Sequence, residues 1–334
     1  MSRTLLTGAA ALLASAAFGQ TALANDSSAE KAAGGLVLRQ NTDIDMVSED
    51  LYVSAAEVRV RYVFRNRARQ DRRITVAFPM PDRELSYEME SEVAYPEDFR
   101  TLVDGRPVRM SVERRAFVNG VDRTAELTRL SVPLAPASGE RGYQLASAIG
   151  RMPRATQESL ARAGLIDAAA FADSEPQIIP MWTVRETWHW DQVFPAGRDL
   201  RVEHRYRPGL GGTAGVPLAS PDFRSSDDGR AYQREFCTDA AFLAALDRMT
   251  RQAERTQANY PTESRLRYIL TTGGNWRSPI GNFRLVVDKG RPDAIVSFCG
   301  EGVRRISPTQ FEVRHRNWRP DRDLAVLIVS AHSE

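Results

Sequence analysis

The stretch Trp182-Thr-Val-Arg-Glu-Thr-Trp188-His-Trp190-Asp-Gln-Val-Phe194-Pro-Ala-Gly197-Arg-Asp-Leu200-Arg-Val202-Glu-His204-Arg-Tyr206-Arg-Pro208 decides the fold class. Read with period two, one face collects Trp182, Val184, Trp188 and Trp190, then Leu200, Val202, His204 and Tyr206. Glu186 is the one charged residue among them. The opposite side carries Arg185, Thr187, His189 and Asp191, then Arg201, Glu203, Arg205 and Arg207. Such alternation marks half-buried strands, and Phe194-Pro-Ala-Gly197 between the runs reads as the turn of a hairpin. So large an aromatic load on one face requires a second layer, which makes this pair the anchor of a β-sandwich.

Working outward towards the N-terminus, Val58, Val60, Tyr62 and Phe64 alternate with polar residues, and Ile74 to Phe78 returns as the next strand until Pro79 and Pro81 stop it. Asp104-Gly105 between Phe99-Arg-Thr-Leu-Val103 and Arg106-Pro-Val108 signals a hairpin with a type I′ turn. From 125 to 171 the period becomes helical. Pro153 divides this insertion, whose second helix is expected to start at Thr156 and end at Gly164. Residues 25–34, polar and small, read as a loose start.

Towards the C-terminus, 209–230 holds Gly209-Leu-Gly-Gly and Ser225-Ser-Asp-Asp-Gly229 and reads as a linker. A phosphate cradle would need a helix opening directly behind the glycines, and Val216-Pro217 stands there instead. A helix capped by Thr238 is expected next, followed by strands at 266–270, 283–287, 293–299, 311–315 and 324–329. The expected organisation is thus a mainly β, antiparallel β-sandwich over 25–208 with a helical insertion, then the linker, then a smaller β-rich module over 231–334.

The first 24 residues are set apart from this fold. Arg3, the apolar run Leu5 to Phe18 and the small-x-small Ala22-Leu-Ala24 form an export-signal pattern, with cleavage expected between Ala24 and Asn25. The apolar run is too short and Ala-rich for a membrane span. The net charge of +2 implies neither nucleic acid nor an anionic membrane as partner. Of 45 basic residues only Lys31 and Lys289 are lysines, a bias that fits GC-rich coding as well as a guanidinium-rich surface. Two cysteines in an exported chain, Cys237 and Cys299, are expected to form one disulfide, worth roughly 4 kcal/mol in the chain-entropy model.

Candidate chemistry is sparse. The histidines are His189, His204, His315 and His332. His204, among Trp and Tyr, reads as a hydrogen-bonded core residue rather than a metal ligand. His189 with Asp191 on the polar face resembles the base half of a hydrolase triad, but no Gly-x-Ser-x-Gly elbow accompanies it. Asp43, Asp45, Glu49 and Asp50 lack the spacing of a calcium loop and read as a solvated strand edge. Trp182, Trp188, Trp190 and Trp276 read as core rather than a sugar-stacking floor. No catalytic residue, metal ligand or cofactor site is assigned.

Several segments carry a resemblance: Asn25-Asp-Ser-Ser-Ala-Glu30, Ala33-Gly-Gly-Leu36, Asp50-Leu-Tyr-Val53, Val58 to Asn66, Phe194 to Gly197, Val202 to Pro208 and Ser297-Phe-Cys-Gly300. Together they resemble the exported bacterial family known as domain of unknown function 4424, over nearly all of the mature chain. The resemblance implies a secreted or periplasmic protein and brings no activity with it. Phe78-Pro-Met-Pro81 and Asp104-Gly105 are also similar to the β-sandwich module of inter-alpha-trypsin inhibitor heavy chains, without the Asp-x-Ser-x-Ser metal site of that family's partner domain. The expectation is therefore a non-catalytic binding or interaction module of the cell envelope whose partner is an envelope protein or a glycan. The alternative is a hydrolase with catalytic residues scattered in sequence.

Overall fold

The computed structural model describes residues 25–32, 35–88, 97–136, 142–167, 178–213 and 215–331. Among the described residues it is mainly β, with three sheets and a minority of helix. The first sheet runs, in spatial order, Val121–Asp122, Ser111–Val118, Thr183–Phe194, Arg72–Pro79, Ser27–Ala32 and Gly35–Arg39, with Arg83–Glu84 beside Thr183–Phe194. The second runs Arg304–Arg305, Gln310–Trp318, Ile280–Asp288, Ile44–Ser54, Val58–Asn66, Asp199–Arg207, Glu97–Val103 and Arg106–Pro107. The third is Thr262–Tyr268, Leu324–Ser330 and Ile295–Phe298.

The two runs of the deciding stretch are strands with the expected inward faces, but they are not a hairpin. Thr183–Phe194 pairs with Arg72–Pro79 and Ser111–Val118 in the first sheet. Asp199–Arg207 pairs with Val58–Asn66 and Glu97–Val103 in the second. The chain changes sheets at Pro195–Arg198, where Asn66 holds the corner: its Nδ2 donates to Phe194 O at 2.8 Å and its carbonyl accepts from Gly197 N at 3.1 Å. Alternation fixes which side of a strand is buried and says nothing about its partner. Both runs face inward because they belong to opposite walls of one core.

That core joins Val76, Phe78 and Trp190 of the first sheet to Met46, Val60, Tyr62, Phe64, Leu200 and Val202 of the second. Burial of side chains this size is worth about 1.5–3 kcal/mol each before entropy is counted. Trp182 and Val184 lie further along the same face as Trp190 yet belong to another cluster, with Leu127, Leu145, Ile149 and Leu160 of the helical insertion. Glu186 sits at the seam between the two clusters. It accepts from Arg114 Nε at 2.6 Å and from Trp188 Nε1 at 2.9 Å, which explains a charge on an inward face.

The Asp104-Gly105 turn is as expected, both residues having positive φ (47° and 78°). The insertion holds Thr124–Arg129, Gly142–Gly150 and Arg154–Arg162. Pro153 rather than Thr156 stands at the start of the last of these, because proline's fixed φ suits a helix entry, and Gly164 (φ 68°) ends it.

Ile280–Asp288 pairs in parallel with Ile44–Ser54, so one sheet draws strands from both sides of 209–230. That segment is not a bare linker: Gly211 bridges Arg265 through two backbone hydrogen bonds, and Pro217–Ala219, Pro221–Ser225 and the start of Asp227–Phe236 are helical. The following helix, Ala240–Thr256, is capped by Asp239, whose Oδ1 accepts from Phe242 N at 2.7 Å, and not by Thr238. Leu324–Ser330 explains its unbroken apolar run by being covered twice. Leu324, Val326 and Ile328 enter the main core, while Ala325, Leu327 and Val329 meet Phe236, Phe242 and Leu246 of the helices.

Candidate functional site

Two regions concentrate polar chemistry near aromatic rings, one sealed and one open. The sealed region begins with Asn25 and Asp26, which are fully buried rather than loose. Asp26 Oδ1 lies 2.9 Å from His204 Nε2, and His204 Nδ1 lies 2.8 Å from Thr101 Oγ1. Trp276 Nε1 donates to Asp26 O at 2.7 Å, and Thr272 Oγ1 donates to Asn25 O at 2.9 Å. Asn25 Nδ2 donates to Glu49 Oε2 at 3.0 Å, and Tyr62 Oη donates to Asn25 Oδ1 at 2.6 Å. The Tyr268 hydroxyl, 2.9 Å from that of Tyr62, completes the chain.

Burial raises both acids here. Glu49 is pushed up to about 8, first by burial and further by neighbouring Asp26, with the Asn25 amide acting against both. Asp26 is raised by burial, against the pull of His204. The rings of Phe78, Phe99 and Trp190 stand 4.8–5.5 Å from the His204 ring and exclude water from it. Carboxylate, imidazole and hydroxyl are in the order of a hydrolase triad, but His204 and Asp26 are completely buried and Thr101 is 2% exposed, so no substrate reaches them.

The open region is a cleft of about 430 Å³ at one end of the second sheet, bordered by Cys237 and Cys299, Phe283, His315, Trp318, Arg319, Asp321, Arg322 and Asp323. The two sulfurs are at disulfide distance, 2.02 Å. Cys237 ends helix Asp227–Phe236 in a left-handed conformation, and Cys299 follows strand Ile295–Phe298. The His315 and Trp318 rings stack at 4.9 Å, and Trp318 lies 4.5 Å from Phe283. In a regular strand residues three apart face opposite ways. Asn317, with φ of 48°, turns the strand end and brings Trp318 to the His315 side. Charges of both signs rim the rings, Arg319 and Arg322 with Asp321 and Asp323. Asp323 is committed to structure, accepting from Leu270 N, Thr271 N and Thr271 Oγ1.

The other candidates fall elsewhere. His189 and Asp191 lie on the outer side of the first sheet, with Asp191 accepting from Thr75 at 2.8 Å. Burial and Lys31 hold the His189 ring below its ordinary value. Trp182, Trp190 and Trp276 are core, and Trp188 packs against it at the Phe99 ring. The acidic cluster is a solvated edge only at Asp43 and Asp50. Glu49 is buried, Asp45 is clamped by Arg67 (2.6 Å) and Arg277 (2.9 Å), and Asp43 and Asp50 pair with Arg72 and Arg284. Ala24 and His332 lie outside the described residues. Among the described residues no group of three His, Cys, Asp or Glu side chains is placed to hold a metal ion, and no helix is long and apolar enough to cross a membrane.

A family model for a domain of unknown function, DUF4424, matches residues 24–327. The chain belongs to that family. A search of curated proteins finds no match. Among solved structures, a candidate nutrient binding protein from Legionella pneumophila is similar at 14% identity and a TM-score of 0.44, over 92% of this chain and 72% of that one. An M1 zinc metallopeptidase from Deinococcus radiodurans is similar at 10% identity and a TM-score of 0.28, over 86% of this chain and 43% of that one. Likenesses this distant carry no chemistry to the DUF4424 chain.

Proposed function

We propose that the protein is a non-catalytic binding module of the bacterial cell envelope, and that the cleft at Phe283, His315 and Trp318 is its ligand face, with a glycan as the ligand. The observation that supports this is the contrast in access. The acid–base relay of Asp26, His204 and Thr101 is closed to solvent, whereas the stacked rings of His315 and Trp318 border an open cleft. A flat aromatic surface suits the C–H face of a pyranose, and mixed Arg and Asp side chains around it suit hydroxyl groups, which both donate and accept. The opposite charges on the rim favour a neutral or zwitterionic glycan over a polyanion. The disulfide beside the rings and the export pattern of residues 1–24 both fit an oxidising compartment.

Titration of the processed protein with soluble oligosaccharides released from envelope polysaccharide, followed by tryptophan fluorescence, tests the reading. Saturable binding is expected, with Trp318→Ala weakening it at least about 10-fold, the size of one lost aromatic contact. Binding left intact by Trp318→Ala, or no binding by any fragment, overturns it. Turnover of a bound fragment would favour the hydrolase alternative instead.

A further inference from the structure

Asn25 and Asp26 stand at the expected cleavage point, yet they are fully buried and tied by hydrogen bonds to four separate parts of the chain: Glu49, Tyr62, His204 and the segment 272–276. Beside them two buried carboxylates are incompletely partnered. Glu49 Oε1 and Asp26 Oδ2 are both inaccessible and neither has a hydrogen-bond partner. The titratable groups facing this space are Asp26, Glu49, His204, Tyr62 and Tyr268, so two acids meet one imidazole and two phenols. Buried carboxylates of this kind call for a cation with donors to spare.

We propose that the α-ammonium created on Asn25 by cleavage after Ala24 is that cation, so that removal of the leader completes the core by seating a new N-terminus against Glu49 and Asp26. Before cleavage the same nitrogen is an amide with one hydrogen and no charge. Hydrolysis of the Ala24–Asn25 bond leaves the new carboxylate on the departing leader and a protonated amine on Asn25. The Asn25 side chain is already on Glu49 at 3.0 Å, and Asp26 is the next residue, so the amine is carried by a residue tied to both acids. Until then Glu49 Oε1 and Asp26 Oδ2 go without a partner, and the leader-bearing chain is held in a less stable state than the processed one.

The test compares the full chain beginning at Asn25 with the same chain extended by one glycine, each also carrying Glu49→Gln. The extension is expected to lower the folding equilibrium constant on the order of 100-fold, and Glu49→Gln is expected to remove most of that difference. A second measurement needs no variant: in the folded Asn25-start protein the α-amine should resist reductive methylation, and it should react once the chain is unfolded. Equal stability of the two starts overturns the proposal. So does a loss that persists undiminished with Glu49→Gln, which would mark a steric effect, or an amine that reacts in the fold as fast as a peptide's. N-terminal sequencing of the exported protein that places the start elsewhere also overturns it, whatever the cleft binds.

Discussion

Glu49 and Asp50 are consecutive residues of one strand, and they show how differently the two faces of the second sheet treat a carboxylate. Glu49 points into the core, meets an amide and another acid, and holds its proton up to about pH 8. Asp50 points outward and meets Arg284 at 3.1 Å. Arg284 also reaches Glu312 at 2.8 Å, and Arg314 closes on Glu312 from the far side at 2.9 Å. Glu312 is thereby brought down to about 2, chiefly by its hydrogen bond from Arg314. The same outer face carries Arg61–Glu203 and Arg65–Asp199 as cross-strand pairs. This solvated face holds its acids with arginines, while the sealed face holds its acids with amides, phenols and one histidine. What a carboxylate does in this protein is set by the side of the pleat it occupies.

The largest break in that comparison should come from His204. His204→Ala leaves Asp26 buried without the imidazole that meets its Oδ1 at 2.9 Å, and removing one member of such a buried pair destabilises by about 3–5 kcal/mol. Urea unfolding of the variant measures it, and a loss below about 1 kcal/mol would mean that the sealed cluster does not depend on this contact.

A second expectation concerns pH in the chain whose N-terminus is extended or blocked. Glu49 then has a folded pKa of about 8 against an unfolded value of 4.5, so the folded state binds the extra proton between them. Its contribution to stability is fully present below pH 4.5 and declines as pH rises towards 8, by at most about 1.4 kcal/mol per pH unit. Asp26, also raised, adds in the same direction. Denaturation midpoints from pH 4.5 to 9 should fall and then level off, and Glu49→Gln should flatten the slope. In the chain that starts at Asn25 the slope should be shallower, because an adjacent ammonium favours ionised Glu49. A slope of opposite sign in the blocked chain would rule out a protonated Glu49.

The strands of both sheets were legible where apolar residues alternate, as at Val58 to Phe64 and Trp182 to Tyr206, because burial on one face leaves that mark directly. Which strands pair was not, since the corner at Pro195 sends the chain to the opposite wall and alternation is blind to partners. The sealed site was hidden because Asn25, Asp26 and Glu49 are polar, and composition places such residues outside unless their hydrogen-bond partners are known. Those partners come from residues 62, 204, 268 and 272–276, a convergence that only the fold produces. A quieter signal was present in the export pattern ending directly before Asn25-Asp26. Trp318 escaped because its three-residue spacing from His315 fits a strand only if Asn317 adopts positive φ.

The smallest expected effect sharpens the comparison from the outer side. Glu312 has a folded pKa depressed to about 2, so its contribution is present above the unfolded value of 4.5 and is lost as pH falls towards 2. Its direction is thus opposite to that of Glu49. Its size should be small, because Arg314 is largely exposed and solvent screens the pair. Exposed ion pairs are worth about 0–1 kcal/mol, and 1 M salt shortens the reach of such charges to roughly 3 Å. Glu312→Gln should therefore cost under about 1 kcal/mol at pH 7, less in 1 M salt, and nothing measurable near pH 2. Glu49→Gln, shielded by the core, should respond to pH and hardly to salt. Urea titrations of the two variants at low and high salt place them side by side. A loss at Glu312 that exceeds 2 kcal/mol and ignores salt would show that the outer arginine network is as sealed as the inner cluster, and the distinction between the faces would fail.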